Sequence, residues 1–324
     1  MKEILSLYPM IKGTIWGGQK LHTDYGFPNN EKYGNIAEAW MLSVHPDGPS
    51  VVQNGVYRGK TLAEALEAED KSVWGTHNAD KADFPILIKL IDAYDKLSIQ
   101  VHPDDDYARR MKIGNGKTEA WYIVAADPGA ELVYGVKRPT AKEELAHSAE
   151  DQTITEILNY VPVKAGDAVF IPAGMLHAIG KGIFLAEVQQ SSNTTYRLYD
   201  YNRPDPTTGG PRDLDIDKAA EVADLRIPTA DFSPRGETET FAGGTKTLLT
   251  ACRYFRMTRL LVDGEFTDAA DETSFVSLLV LDGEGTLESG EQTLELKKGA
   301  SLFVPAAHGR YTLKGAMTVL ETRT

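Results

Sequence analysis

Short β-branched or aromatic runs bounded by Gly, Pro or Asp recur along the chain, and they restrict it to stacked or closed β-sheets. Residues 85–91, 97–102, 120–124 and 168–171 are the clearest runs, and the pattern returns from about Lys246 at 274–281, 292–296 and 301–304. Helical signals are fewer. Residues 61–71 place Leu62, Ala65 and Leu66 on one face, and residues 140–149 open on Thr140 with Glu143 three positions on, which predicts a helix capped by Thr140. Residues 216–225 predict another short helix. Residues 202–211 hold three prolines and two glycines and read as an exposed loop. The organisation expected is a catalytic unit over 1–203, a linker with a short helix over 204–245, and a C-terminal β unit over 246–324.

Charge narrows the partners. The 324 residues carry 34 Lys+Arg against 47 Asp+Glu, a net −13, with no long basic run, so a nucleic-acid-binding face is not expected. The single cysteine, Cys252, excludes an intramolecular disulfide and a Cys-rich zinc site and reads as a buried thiol. Residues 1–10 lack a basic region leading into an apolar core, and no apolar run approaches the roughly 18 residues of a membrane span. A soluble, cytoplasmic protein is expected, with no membrane partner.

The chemistry concentrates in two places. The first, Gly166 to His177, reads Gly-x5-Pro-x-Gly-x2-His: Gly166 turns into a strand, Pro172 and Gly174 form the next turn, and His177 enters the following strand facing inward. This pattern resembles the second of the two cupin motifs. The second place is Gln100-Val101-His102. Residues two apart on a strand share a face, so Gln100 and His102 project together. Most cupins have a glutamate a few residues further on; here the nearest suitable acid is Glu119, after a short helix and loop over 104–117. Gln100, His102, Glu119 and His177 offer two oxygens and two imidazoles, a set that suits zinc, with manganese, iron and cobalt as alternatives. Glu131, Asp104 and Asp105 are other acids nearby, the aspartates reading as charges at a helix N-terminus. Gly299 to His308 repeats the Gly-to-Pro spacing of the first motif but places its His differently, which reads as a degenerate copy without a metal.

Further motifs fall in order between about residues 8 and 203: Ile15-Trp16-Gly17-Gly18, Glu38-Ala39-Trp40, Leu97-Ser98-Ile99-Gln100-Val101-His102-Pro103-Asp104-Asp105, Gly116-Lys117-Thr118-Glu119, Pro172 to Ala178, and Glu187-Val188-Gln189-Gln190-Ser191-Ser192 through Tyr196 to Tyr201. With these, the chain resembles the short bacterial form of the type I mannose-6-phosphate isomerases. The resemblance implies a mainly β fold, a cupin (jelly-roll) barrel with small helical insertions followed by a second, degenerate cupin-like β domain. It implies one Zn2+ per chain on Gln100, His102, Glu119 and His177, and places Arg197 in the active site.

The activity so implied is interconversion of mannose 6-phosphate and fructose 6-phosphate through a cis-enediol, by a monomer or homodimer. Glu187 is the first candidate base, at the end of an apolar strand, with Lys117 or a zinc-bound water as the others. Ser98, Lys89 and Lys117 sit in matching motifs as phosphate-binding candidates. Lys89 interrupts an apolar run and needs a partner, either substrate phosphate, which this reading favours slightly, or a carboxylate. Tyr199 and Tyr201 share the face of Arg197 if that strand is regular, though core packing is the simpler role for them. His22, His45, His77, His147 and His308 read as structural or surface residues. The competing readings are a metal-dependent cupin dioxygenase and a sugar-binding cupin without catalysis. The C-terminal β unit reads as a lid or support for the active-site unit.

Overall fold

A computed structural model describes residues 1–205 and 208–324. The Pro- and Gly-rich stretch expected as a loop includes Pro206 and Thr207, which lie outside the described residues.

Among the described residues the strands assemble into three antiparallel sheets. The six-stranded sheet runs Ala168–Ile171, Glu119–Ala126, Ile183–Gln190, Ile86–Ala93, Glu38–Leu42, Met10–Lys12. It is the middle layer. One face, carrying Ile88, Leu90, Ala120, Tyr122, Ala186 and Val188, packs on Leu249, Met257, Leu279 and Phe303 of the nine-stranded sheet and on Phe275 just before its strand Val276–Ser289. The other, carrying Ile91, Trp121, Ile123 and Leu185, packs on Leu132 and Tyr134 of the five-stranded sheet. A strand covered on both faces needs apolar residues at consecutive positions rather than alternate ones. That is why Ile86–Ala93 and the first part of Ile183–Gln190 are near-continuous apolar runs, with every residue of both strands buried. Each fully buried Ile or Leu contributes about 1.5–3 kcal/mol, so a Lys or Glu in these strands is conspicuous.

The five-stranded sheet runs Tyr196–Tyr199, Ile99–Val101, His177–Ala178, Glu131–Val136, Leu158–Pro162. Its outer face is covered by helices Asp105–Met111, Lys142–Glu150 and Ile216–Val222 through Tyr107, Leu145, Ala149, Ala219 and Ala220. The helix Leu62–Glu67 starts on a capping box in which the Thr61 side chain accepts from Glu64 N–H. The cap expected at Thr140 is not formed: Ala141 is the N-cap of Lys142–Glu150, and the Thr140 hydroxyl donates to the Arg138 carbonyl at 3.0 Å.

The nine-stranded sheet takes Thr238–Phe241, Gly244–Ala251, Arg256–Ala270, Gly309–Arg323, Val276–Ser289, Ser301–Val304, Leu5–Tyr8 and Val51–Val52 in that order, with Gln292–Lys297 paired to Val276–Ser289. It joins both ends of the chain: Leu5 stands opposite Phe303, and Leu7 opposite Ser301 on one side and Val52 on the other. The sheet curls over a second core of Leu260, Val280, Leu302, Leu313 and Val319.

The expected closed barrel is not what forms. Among the described residues each sheet is an open path whose terminal strands do not pair, and none closes on itself. The apolar faces are covered by stacking instead: sheet on sheet buries them as completely as closure would. Alternation and turn spacing are the same for both solutions; only the pairing of edge strands distinguishes them. No helix among the described residues is long and apolar enough to cross a membrane.

Candidate metal centre and active site

On the five-stranded sheet, Arg197 stands opposite Gln100, Gln100 opposite His177, and His177 opposite Tyr134. Directly opposed residues share a face, so this row looks onto the middle sheet. His102 lies two positions beyond Gln100, just past the strand end. Asp104 then turns the chain into helix Asp105–Met111, its side chain accepting from Tyr107 N–H at 2.8 Å. Gly174 N–H donates to the His102 carbonyl at 2.8 Å and ties together the two ligand-bearing segments. Its φ of +86° favours glycine there, and a Cβ would stand 3.1 Å from the Val222 carbonyl oxygen. The facing row on the middle sheet pairs Glu119 with Gln189, Trp121 with Glu187, Glu187 with Lys89, and Lys89 with Trp40.

Where the two rows meet, His102, Glu119 and His177 bring one ligand atom each within 4.8 Å of the others, all three buried. His102 Nε2 lies 3.4 Å from Glu119 Oε2, and His177 Nε2 lies 3.3 Å from Glu119 Oε1. His177 Nδ1 lies 2.8 Å from the Met175 carbonyl, so Nδ1 carries the proton and Nε2 presents its lone pair. Apart from the Lys117 ammonium beside Glu119 Oε2, neither Glu119 oxygen nor His177 Nε2 has a hydrogen-bond partner. Buried polar atoms left unpaired are costly, and three converging on one point fit a cation. Burial and the Lys117 charge push the His102 pKa down to about 3, and burial lowers that of His177, so both imidazoles are neutral, as metal ligation requires. Burial opposes ionisation of Glu119, but Lys117 and the imidazoles hold its carboxyl well below the usual range. Lys117 Nζ sits 3.0 Å from Glu119 Oε2 and 3.0 Å from His102 Nε2, against the same atoms a metal would take.

Beside this cluster opens a cavity of about 370 Å³. Gln100, Ser98, Lys89, Lys117, Glu187 and Arg197 all line it, beside the buried triad of His102, Glu119 and His177. Glu187 accepts from Trp121 Nε1 at 2.9 Å and pairs with Lys89 Nζ at 3.1 Å. Burial, reinforced by the Glu119 charge, raises the Glu187 pKa. Lys89 also faces Glu38 at 3.5 Å; burial works against its charge, but Glu187 and Glu38 more than restore it. The partners of Lys89 in this structure are therefore carboxylates.

Arg197 Nε donates to Ser98 Oγ at 3.3 Å and its Nη1 to the Asp213 carbonyl at 3.1 Å. Burial and the neighbouring Arg212 lower its pKa. Arg212 lines the same cavity and is held by two 2.6 Å hydrogen bonds to Asp200. Sequence reasoning passed over Trp121, Glu38 and Arg212; Glu38 lay inside a recognised motif, Trp121 becomes visible only through strand pairing, and Arg212, in a loop, only through its bonds to Asp200.

The remaining candidates lie elsewhere. Glu131 is exposed, and Asp104 and Asp105 serve the helix start and the loop beyond it. A bulge separates Arg197 from Tyr199 and the strand ends there, so Tyr199 and Tyr201 do not continue the Arg197 face; their rings pack on each other at 4.9 Å. His308 hydrogen-bonds with Ser289 at 2.9 Å, away from the triad.

A buried His/His/Glu cluster at the wall of a polar cavity between two stacked sheets defines a candidate metalloenzyme. Residues 4–129 match the family model for the phosphomannose isomerase type I catalytic domain, and residues 244–323 match the mannose-6-phosphate isomerase cupin domain. The chain belongs to the type I mannose-6-phosphate isomerase family. Mannose-6-phosphate isomerase ManA of Bacillus subtilis is 38% identical over 97% of this chain and 96% of its own length. The mannose-6-phosphate isomerase of Streptococcus mutans is 36% identical over 99% and 98%. A crystal structure of mannose 6-phosphate isomerase from Bacillus subtilis superposes with a TM-score of 0.89 at 36% identity, covering 98% of this chain and 99% of that one.

Proposed function

We propose that the chain is a zinc-dependent isomerase interconverting mannose 6-phosphate and fructose 6-phosphate through a cis-enediol. The observation that carries this reading is the buried His102–Glu119–His177 cluster adjoining a cavity into which Glu187 and Arg197 both project. Gln100, His102, Glu119 and His177 are the residues to hold one zinc, which when bound supplies a Lewis acid at the sugar's carbonyl end.

Glu187 takes the proton from C2 of the aldose and returns it to C1, while the hydroxyl proton passes from O2 to O1. A carboxylate already raised by burial suits both halves of that transfer. Arg197 faces the negative charge that develops on the oxygens. Lys117 is the remaining catalytic candidate through its place against the ligands. For the phosphate, Lys89 and Lys117 are paired with carboxylates and Arg197 serves the reacting oxygens, so Arg212, anchored by Asp200 and lining the cavity with Ser98, is the cation that receives the dianion, with Arg197 nearby. Their mutual repulsion is relieved when an anion binds between them. A cytoplasmic site of action goes with this reading.

The deciding assay follows both sugar phosphates before and after chelation, then after zinc is restored. Loss and recovery of interconversion supports the reading; activity untouched by complete metal removal sinks it. In deuterated water, label is expected at C1 or C2 of the product, and its absence at every conversion would point to hydride transfer. Arg197→Ala is expected to lower kcat by about 10²-fold with zinc still bound; an unchanged kcat removes Arg197 from the chemistry.

A further inference from the structure

Asp105 opens a helix, yet its side chain turns away from that helix. Oδ1 accepts from Gly116 N–H at 3.0 Å and from Gln190 Nε2 at 2.9 Å. Oδ2 accepts from the Tyr254 hydroxyl at 2.6 Å and from the Arg253 guanidinium at 3.0 Å. Gln190 continues the chain of contacts: its Oε1 accepts from Thr118 N–H at 2.9 Å, and its backbone N–H donates to the Thr118 carbonyl at 3.0 Å. Lys117 N–H donates to the Pro103 carbonyl at 2.9 Å. Gly116 lies so close to the helix start that a Cβ would stand 2.5 Å from the Asp104 carbonyl carbon and 2.5 Å from the Asp105 nitrogen.

These bonds fix the peptide that carries Lys117 and delivers Glu119 to the metal cluster. It needs fixing, because the preceding loop turns through left-handed Lys112 (φ 57°) and Gly114 (φ 91°) with no strand to hold it. The far end of the network belongs to another layer. Arg253 and Tyr254 sit in the turn between strands Gly244–Ala251 and Arg256–Ala270 of the nine-stranded sheet, and the Tyr254 ring packs against the core that this sheet shares with the middle sheet.

We infer that Asp105 and Tyr254 form a clamp through which the C-terminal sheet positions Lys117 and Glu119 for metal binding and isomerisation. Both are positioning residues: neither lines the catalytic cavity, and the effect passes through the backbone of 116–118. The catalytic half of the inference rests on the isomerase reading; the metal half stands without it. Outer contacts of this kind change metal affinity or activity by about 10–100-fold, because ligand placement tolerates little displacement.

The test uses the zinc-loaded full chain and compares Tyr254→Phe, Asp105→Asn, the double variant, and Tyr311→Phe. Tyr311 is a buried tyrosine of the same sheet whose hydroxyl bonds Glu321 at 3.3 Å, remote from Asp105, and it controls for general loosening. Zinc transfer to a chromogenic chelator is timed, and kcat and KM are measured separately. Tyr254→Phe is expected to release zinc about tenfold faster and to lower kcat with KM nearly unchanged. The double variant is expected to match Asp105→Asn alone, since the tyrosine hydroxyl acts through that carboxylate, while Tyr311→Phe leaves both readouts at wild-type values. Wild-type zinc release in Tyr254→Phe, equal acceleration in Tyr311→Phe, or additive effects in the double variant would each overturn the clamp. A wild-type chain that binds zinc but converts neither sugar phosphate would overturn the isomerase reading, leaving the chelator measurement to judge the clamp.

Discussion

His177→Ala is expected to strip the protein of its metal and of its activity together. The ring is buried, its Nδ1 is fixed by the Met175 carbonyl and its Nε2 points at Glu119, so it supplies one of the three converging ligand atoms. Loss of an outer hydrogen bond costs metal sites about 10–100-fold in affinity; loss of the ligand itself should exceed that range. The fold is expected to survive, because the change also frees a single backbone carbonyl, worth about 1–3 kcal/mol. Elemental analysis of the purified variant settles it: stoichiometric zinc retained on His177→Ala would mean that the ligand set is wrong.

Glu187→Gln is expected to lower kcat by about 10²–10⁴-fold, the usual weight of a positioned general base, without releasing zinc. The substitution keeps shape and leaves an oxygen to accept from Trp121 Nε1, while Lys89 keeps Glu38 as a partner. What it removes is the carboxylate able to carry a proton between adjacent carbons. Deuterium incorporation should fall in step with turnover. A kcat within about twofold of wild type would transfer the role of base to another group.

The candidate ligands stood out in the sequence for a local reason, and the structure brings three of them, His102, Glu119 and His177, together. Gln100 and His102 share a strand face by their spacing, and the glycine and proline turns before His177 mark it as strand-borne. Lys89 also announced itself, as a charge inside an apolar run, but its partner did not. Glu187 and Glu38 reach it through pairings with strands far away in the chain, and local patterning contains no such register. Trp121 was hidden in the same way, its role depending on the Glu187 pairing. Barrel against stack was illegible for a related reason: closure depends on what the edge strands do. Thr140 shows the local limit, since a residue that can cap a helix can equally bond a carbonyl in the preceding turn.

The strand Leu5–Tyr8 leaves the ribosome long before its partner Ser301–Val304 is made. Local contacts can form during synthesis, but a pairing across nearly the full length of the chain must wait. The sheet that backs the catalytic layer is therefore completed only after Ser301–Val304 and Gly309–Arg323 have been made. Until then the nascent chain carries a strand that can pair on one side only, with Val51–Val52, and an uncovered apolar face on the middle sheet, the kind of surface that chaperones bind.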